Sequence, residues 1–398
     1  MSQSTGAQLS RSSTSPRTVS PAGASRAERF YRPELDVLRF FAFFSVFTFH
    51  TAITVDPLPW KKYWGPIGCY GMPLFFFLSS YLITELLLRE QEITRTVHIR
   101  SFYVRRILRI WPLYLFFVAA MVVWGHFFPE DHFSRGALLS LLLLTGNWYM
   151  AAYGPMPGPI GPLWSISLEE QFYLIWPTLA KKFRERGLLW LSIVLIPAAW
   201  LAMYVCGPLP LRQDAFSGVA ASYERFWCNS FVQFQFFAMG ALTSIFTRRR
   251  KPGQPNPLAR SLLCVSGVAV WIYAGHFIRS VHEGDIPLDT FILWYLCMGI
   301  GCLLFFFSVS GIPQKWIPKQ LLYLGKISYG LYVFHEVGLY ISDAVRVYFG
   351  PHLWRWLALR YVGSFAVALL LAVISYKYFE SPFLRLKERF AFIRSRPT

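Results

Sequence analysis

The sequence predicts an all-α protein whose helices cross a lipid bilayer many times. Of its 398 residues, 55% are hydrophobic and only 15% are charged, and its mean hydropathy is +0.38. Soluble globular proteins carry about 25% charged residues, so this composition indicates a membrane protein. Apolar runs long enough to cross a hydrocarbon core of about 30 Å recur along nearly the whole chain. Helices of this length satisfy their own backbone polar groups inside a bilayer.

The apolar runs define ten predicted spans. A shorter run from Ala137 to Leu144 is too short to cross, and we expect it to be interfacial or re-entrant. The spans lie at residues 35–54, 66–88, 107–127, 163–180, 187–206, 229–247, 259–277, 289–309, 321–345 and 356–379.

The distribution of basic residues supports ten spans, because Lys and Arg concentrate in short cytosolic loops. With the amino terminus inside, ten spans place 29 Lys and Arg residues on the inner side and nine on the outer side, with Arg39 inside a span. If residues 137–144 also crossed, the counts would become 17 inside and 21 outside. The sequence therefore predicts cytosolic termini. The same pattern explains the net charge of +18 without nucleic-acid binding.

The predicted domains are a disordered cytosolic tail at 1–29, a transmembrane domain at 30–383 and a basic cytosolic tail at 384–398. The first tail is rich in Ser and Arg and lacks the apolar segment and cleavage site of a signal peptide. An organelle transit peptide would share this composition. The six cysteines show no metal-ligand spacing, while Cys206 and Cys228 flank one polar loop and leave a disulfide open.

The first span carries three ionisable residues, which are costly in a membrane and therefore mark candidate functional sites. Asp36 and Arg39 stand three residues apart and can pair on one helix face. Eleven helical steps separate Arg39 from His50, so both project from one face, about 16 Å apart along the axis. The alternative interpretation is an anchoring Arg–Asp pair and a histidine satisfied within the bundle.

The fourth span carries two adjacent carboxylates, Glu169 and Glu170, at a depth similar to that of His50. A carboxylate beside an imidazole raises its basicity and fixes its tautomer, as a general base requires. We therefore expect Glu169 or Glu170 to orient His50. The alternative is that one of them pairs with an arginine for structural reasons.

Three arginines stand at the cytosolic start of the third span, with the spacing i, i+1 and i+4: Arg105, Arg106 and Arg109. Membrane topology explains basic residues here, and an arginine cluster at a helix entrance also suits a phosphate-rich ligand. The ninth span adds His335 and Glu336, which either form polar contacts within the bundle or line the site.

These motifs together resemble the acyltransferase-3 family of membrane O-acyltransferases. The family usually has glycine where Ser80 stands. The matching segments, spread over residues 32–383, are Arg39-x10-His50, Phe75–Ser80, Arg105-Arg106-x-x-Arg109, Trp164–Tyr173, Ile327–His335 and Glu380-Ser-Pro382.

The resemblance implies a multi-pass enzyme of the cell (inner) membrane that transfers an acyl group, in particular acetyl, from acyl-CoA on the cytosolic side. The implied acceptor is a hydroxyl of a glycan, a lipid-linked sugar or a small glycoside. Acyl-CoA would be a co-substrate, with no permanently bound cofactor and no metal. The partners are thus a CoA thioester, a carbohydrate and the bilayer, and the sequence carries no signal for an oligomeric state.

We expect His50 to act as the general base, and a covalent acyl-His50 intermediate is the alternative route. The other predicted catalytic residues are Glu169, Glu170 and Arg39. The predicted substrate-binding residues are Asp36, Arg105, Arg106, Arg109, Trp164, Ser165, Tyr173 and His335.

Two other functions fit the buried polar residues. A proton-coupled transporter would use buried His, Glu and Arg as a relay, and a structural or regulatory subunit would use them to join helices. Arginines clustered at one cytosolic entrance and the lack of a visible internal repeat favour the enzyme.

Overall fold

The computed structural model describes residues 30–53, 67–206, 226–250, 253–281, 288–349 and 353–393, and throughout these ranges the regular structure is helical. The all-α prediction is confirmed. The predicted tail at 1–29 lies outside the described residues. So does the side chain of Cys206, and with it the disulfide to Cys228 that the sequence left open.

In the described part of the first half of the chain, six α-helices can be delimited. A short 3₁₀ turn from Gly158 to Leu163 leads into the last of them. They are α1 (Glu34–Ile53), α2 (Gly71–Thr94), α3 (Ile99–Phe127), α4 (Arg135–Leu142), α5 (Gly146–Tyr153) and α6 (Trp164–Cys206).

The second half continues the bundle, and its last span is α-helix interrupted by two π-helical segments, Leu359–Gly363 and Ser375–Glu380. The α-helices are α7 (Ser230–Arg250), α8 (Pro257–Val281), α9 (Leu288–Val309), α10 (Lys319–Lys326), α11 (Ser328–Val345), α12 (Leu353–Ala358), α13 (Ser364–Ile374) and α14 (Ser381–Lys387).

Eight helical segments of the described residues are long and apolar enough to cross a membrane. One of them, Gly158–Val205, is 48 residues long and is interrupted at Arg184, whose φ of 54° and ψ of −167° are not helical. This interruption falls between the predicted fourth and fifth spans. The predicted ninth span divides at Ile327 into α10 and the 18-residue α11. The count of ten spans and the cytosolic termini stay predictions.

The run from Ala137 to Leu144 forms part of α4, which has eight residues and is capped by Ser134, whose hydroxyl accepts from the backbone N–H of Ala137 at 3.1 Å. A helix of this length rises about 12 Å, much less than the hydrocarbon thickness. The exclusion of this run from the spans is therefore supported by its short helix.

Small residues let the helices that carry the polar residues approach closely. A Cβ on Gly325 would lie 2.0 Å from the carbonyl oxygen of Asp36, and a Cβ on Gly338 would lie 2.3 Å from that of Ser364. Such contacts bring helix backbones together in membrane proteins. They place α10 directly against α1, and α11 directly against α13.

Ser80, where the resembled family usually has glycine, lies at the contact between α2 and α7. Its hydroxyl donates to the backbone oxygen of Phe237 at 2.5 Å. Beside it, Phe237 stacks on Phe76 with ring centroids 5.0 Å apart and meets Phe172 at 4.4 Å. The serine is accommodated by this hydrogen bond within an aromatic core.

The carboxyl-terminal segment packs against α3. The backbone oxygen of Phe390 accepts from Arg105 at 2.7 Å, and Phe392 stacks on His98 with ring centroids 4.2 Å apart. Residues 384–393 of the predicted tail are therefore attached to the bundle. The domain boundaries themselves stay predictions.

Candidate active site

A cavity of about 140 Å³, the central cavity, lies among α1, α2, α3, α6 and α11. Its wall is apolar on the α2 side, where Phe75 and Leu82 contribute. Four of its six charged residues are arginines, so the cavity favours an anionic or strongly polar occupant. The charged residues are Arg32, Asp36, Arg39, Arg106, Arg109 and Glu169.

A second, smaller cavity of about 50 Å³ adjoins the central cavity, and the two share Leu86, Arg106 and Arg109 in their walls. Arg105, Lys387 and Glu388 complete its charged lining. We call this region, formed by Arg105, Arg106, Arg109 and Lys387, the basic mouth. The two cavities therefore adjoin along a wall of arginines, and we call the pair, from the basic mouth inward, the passage.

The arginines of the basic mouth differ in their partners. Arg105 donates to Glu90 Oε2 at 3.0 Å and to the backbone oxygen of Phe390 at 2.7 Å. Arg106 lies over the Tyr173 ring at 5.2 Å, and its buried Nε has no hydrogen-bond partner within the described ranges. Arg106 is thus positioned by an aromatic ring, and its Nε donor is not used by the described part of the protein.

Asp36 and Arg39 form the ion pair that the sequence predicted, with Arg39 Nη1 2.7 Å from Asp36 Oδ1. The hydroxyl of Tyr31 donates to the other carboxylate oxygen of Asp36 at 3.0 Å. Both members of the pair line the central cavity. The pair therefore anchors the start of α1 and also faces the passage.

The two adjacent glutamates of α6 have different surroundings because neighbouring residues on a helix point about 100° apart. Glu169 lines the central cavity and accepts from Ser79 at 2.8 Å and from Tyr173 at 3.0 Å. Glu170 accepts from Trp111 Nε1 at 2.9 Å and does not line the cavity. Neither glutamate forms an ion pair with an arginine in the part of the chain that is described.

His50 lies near the carboxyl-terminal end of α1, against α11. Its Nδ1 is 2.8 Å from Nε2 of His335 and 3.3 Å from Oε1 of Glu336. The expectation that Glu169 or Glu170 orients His50 is therefore corrected: the carboxylate beside His50 belongs to Glu336. Equal depth in the bilayer does not bring two helices together, and here α11 packs directly on α1.

These three residues form what we call the histidine cluster. His335 is fully buried, whereas the side chains of His50 and Glu336 keep 24% and 18% of their surface exposed. The potential ligand atoms of the three residues all lie within 4.8 Å of one another, a spacing at which a metal ion could be held. The sequence left two possibilities for His335 and Glu336: polar contacts within the bundle, or a place in the lining of the site. In the structure both residues contact His50 within the bundle.

Tyr332 connects the central cavity to the histidine cluster. Its hydroxyl reaches Ser165 and the backbone oxygen of Pro162, each at 2.8 Å, and its side chain lines the cavity. Its backbone oxygen lies 2.6 Å from Nδ1 of His335. The cavity therefore ends about one helical turn from the cluster.

Trp164 is not part of the cavity wall. Its side chain is 7% exposed, and its ring meets Phe76 at 6.2 Å and Trp227 at 6.4 Å. Its surroundings are those of the aromatic core, although the sequence predicted a substrate contact.

Arg360 also belongs to the site, although in the sequence it was counted only as one of the nine basic residues on the outer side of the membrane. It is buried in the first π-helical segment, donates to the backbone oxygens of Thr51 at 3.0 Å and His50 at 3.4 Å, and pairs with Asp343. It thereby satisfies the free carbonyls at the end of α1. The sequence did offer one signal: Arg360 lies four residues inside the predicted span 356–379, and an ionisable residue within a span marks a candidate functional site.

The fold and the site define a multi-pass membrane protein with a buried histidine–carboxylate cluster reached by an arginine-lined passage. The chain belongs to the acyltransferase-3 family: the model of that family, described as an acyltransferase domain, matches residues 32–377. A family model described as an acyltransferase domain favours an enzyme over a transporter or a structural subunit.

Curated relatives match most of this chain. It is 26% identical over 392 residues to the peptidoglycan O-acetyltransferase OatA of Listeria monocytogenes. This alignment covers 90% of this chain and 56% of the relative. It is 28% identical over 379 residues to the putative peptidoglycan O-acetyltransferase YrhL of Bacillus subtilis, covering 88% and 55%. For the O-acetyltransferase OatA of Staphylococcus aureus the identity is 24%, covering 91% and 59%.

The chain thus spans a little more than half the length of the curated relatives it matches. No solved structure matches it.

Proposed function

We propose that this protein is an O-acetyltransferase of the cell (inner) membrane that moves an acetyl group from acetyl-CoA to a hydroxyl of a cell-envelope glycan. His50 acts as the general base. The observation that carries the proposal is the arginine-lined passage, which starts at the basic mouth and ends one helical turn from the histidine cluster. The names of the relatives support acetyl transfer and a glycan acceptor.

The basic mouth suits the donor because CoA carries several phosphate groups. Guanidinium groups bind phosphate with charge-assisted, often bidentate hydrogen bonds. Arg106 has an unused buried donor, and Arg109 has no ion-pair partner among the residues described. We assign these two arginines to the phosphates, while Arg105, already bonded to Glu90, supports the wall beside them.

The central cavity suits the arm that carries the thioester. Its α2 wall is apolar apart from Ser79, and its other polar side chains lie on α1, α3, α6 and α11. We assign the donor arm to this cavity, with the Asp36–Arg39 pair, Glu169 and Tyr173 along its path and Ser165 at its inner end. His335 serves the same site through His50. Nothing in their contacts supports a substrate role for Glu170 or Trp164.

The reaction joins the acceptor oxygen to the acetyl carbon. His50 takes the hydroxyl proton as the oxygen attacks the thioester carbonyl, and the carbon–sulfur bond breaks as the new carbon–oxygen bond forms. The departing thiolate then takes up a proton, and the imidazolium returns to its neutral form. A route through an acetyl-His50 intermediate uses the same residue as the nucleophile.

The central claim is tested with the purified protein in proteoliposomes, acetyl-CoA and soluble peptidoglycan fragments as acceptor. Acetylated fragments are counted by mass spectrometry. His50→Ala removes the base, and we expect kcat to fall about 10²- to 10⁴-fold, the usual contribution of general base catalysis.

His126→Ala, which changes an exposed histidine of α3, is the matched control and keeps full activity. Turnover by His50→Ala at the wild-type rate would remove His50 from the chemistry. Acetyl-CoA consumption without any acetylated glycan fragment would contradict the acceptor class.

A further inference from the structure

We propose that His335 and Glu336 are positioning residues for His50. They hold the imidazole of His50 in the tautomer with its proton on Nδ1, so that Nε2 is the atom that accepts the proton of the substrate hydroxyl. The inference deepens the proposed function and rests on it, because it concerns the same base.

The first step follows from the surroundings of His335, which is fully buried. Its Nδ1 lies 2.6 Å from the backbone oxygen of Tyr332, and a carbonyl oxygen only accepts hydrogen bonds. Nδ1 of His335 therefore carries the proton. A neutral imidazole has one N–H, so Nε2 of His335 holds a lone pair.

The second step follows from the contact between the two rings. Nε2 of His335 lies 2.8 Å from Nδ1 of His50, a normal distance for N–H···N hydrogen bonding. Two lone pairs would repel each other at this distance, so Nδ1 of His50 donates. Nε2 of His50 is left as the basic atom, and it forms no hydrogen bond within the part of the chain that the structure describes.

The third step concerns charge. Oε1 of Glu336 lies 3.3 Å from Nδ1 of His50 and 3.9 Å from Nε2 of His335, so its carboxylate faces the side of the ring that keeps its proton. When Nε2 takes up the substrate proton, His50 becomes a cation beside this carboxylate. A base oriented by a third group is the arrangement expected for such a step.

A metal ion is the alternative occupant of the cluster, and the distances argue against it. Ligands 2.0–2.1 Å from a tetrahedral zinc ion are separated by about 3.3 Å. The two histidine nitrogens are only 2.8 Å apart, which suits a shared proton better than a shared metal.

Nitrogen-15 NMR of the ¹⁵N-histidine-labelled protein in liposomes measures the tautomer directly, with His50→Ala used to assign the His50 signals. We expect a protonated Nδ1 and an unprotonated Nε2. The opposite tautomer in the wild-type protein would overturn the inference. This result is independent of turnover, so it stays distinguishable from a failure of the proposed function, which an active His50→Ala variant would show.

Two substitutions of His335 separate positioning from packing. His335→Gln keeps an acceptor near the position of Nε2, whereas His335→Asn is shorter and reaches only the Tyr332 carbonyl. We expect His335→Gln to keep kcat within about tenfold of wild type and His335→Asn to lose about 100-fold, with KM for acetyl-CoA unchanged in both. Equal losses in both variants, with the His50 tautomer unchanged, would contradict the proposal.

Glu336→Gln removes the charge and keeps the size. We expect a fall in kcat of about tenfold or more at unchanged KM for acetyl-CoA, with Glu130→Gln, an exposed carboxylate outside the site, as the unaffected control. A wild-type kcat for Glu336→Gln would remove Glu336 from the proposal. Loss of activity in EDTA that zinc restores would assign the cluster to a metal.

Discussion

The basic mouth and the histidine cluster lie at opposite ends of one passage and are built differently. In the mouth, Arg106 keeps a buried donor without a partner, and a ring rather than a carboxylate holds its guanidinium. In the cluster, both ring nitrogens of His335 are engaged, and Arg360 closes the helix end behind His50. In the mouth, the Nε donor of Arg106 is left without a partner, whereas in the cluster the partners of His50 Nδ1 and of both His335 nitrogens are supplied by the protein itself.

This difference predicts which kinetic constant each end controls. Interactions that bind substrate and transition state equally alter KM, whereas interactions made only during the chemical step alter kcat. Substitutions in the mouth are therefore expected to raise KM for acetyl-CoA, and those in the cluster to lower kcat.

The largest expected effect on the fold comes from Arg360→Ala. It leaves the carbonyls of His50 and Thr51 without their charged donor, and hydrogen bonds to charged groups contribute about 1.5–3 kcal/mol each. We expect about 3 kcal/mol lower stability, a lower Tm in detergent and lower kcat. Arg355→Ala, at an exposed position of α12, is the control. A wild-type Tm and kcat would mean that the end of α1 does not depend on Arg360.

The next largest effect tests whether the basic mouth controls KM while the histidine cluster controls kcat. Arg106→Ala removes a phosphate contact, which at about 1.5–3 kcal/mol corresponds to a 10- to 100-fold increase in KM for acetyl-CoA at nearly constant kcat. CoA should also raise the Tm of the wild-type protein and not that of the variant. Arg100→Ala, an exposed arginine on the same helix, serves as control. A change in kcat alone would break the assignment of Arg106 to the donor.

A smaller effect is expected for Ser79→Ala. The serine hydroxyl donates to Glu169 at 2.8 Å inside the central cavity, and a typical hydrogen bond contributes about 1 kcal/mol net. Steady-state kinetics should show a change of about fivefold in kcat/KM for acetyl-CoA. No change would indicate that Glu169 is held by Tyr173 alone.

The smallest effect sharpens the comparison within the mouth. Arg105 is bonded to Glu90 and to the backbone of Phe390, so Arg105→Ala should loosen the carboxyl-terminal segment more than it weakens CoA binding. We expect the increase in log KM for acetyl-CoA to be less than half of the increase that Arg106→Ala produces. We also expect faster limited proteolysis after residue 384. An equal increase in KM would place Arg105 among the phosphate ligands.

The elements of the fold followed closely from sequence patterns. The apolar runs predicted the long helices, and the short run at 137–144 lies mostly in a helix of only eight residues. The pairing of Asp36 with Arg39 followed from their spacing on one helix. Composition and helical period are local properties, and each of these features depends only on local sequence.

The partners of the site residues did not follow in the same way. His50 and His335 are 285 residues apart, and Glu169 and Glu170 stand at a depth that made them equally suitable partners. A helical period assigns a residue to a face and a depth, but it does not say which helix packs against that face. The contacts of His335 with His50 and with the ring of Phe43 show that α11 is the neighbour of α1.

The sequence by itself determined the all-α membrane class, the pairing of Asp36 with Arg39, the arginine cluster at the start of α3 and the resemblance to the family. The tertiary structure decided that Glu336 rather than Glu169 faces His50, that Arg105 is bonded within the protein and that Trp164 belongs to the core. The physical reason is that burial cost marks a residue as important wherever it lies, whereas its role depends on atoms brought within about 3 Å by packing between distant segments.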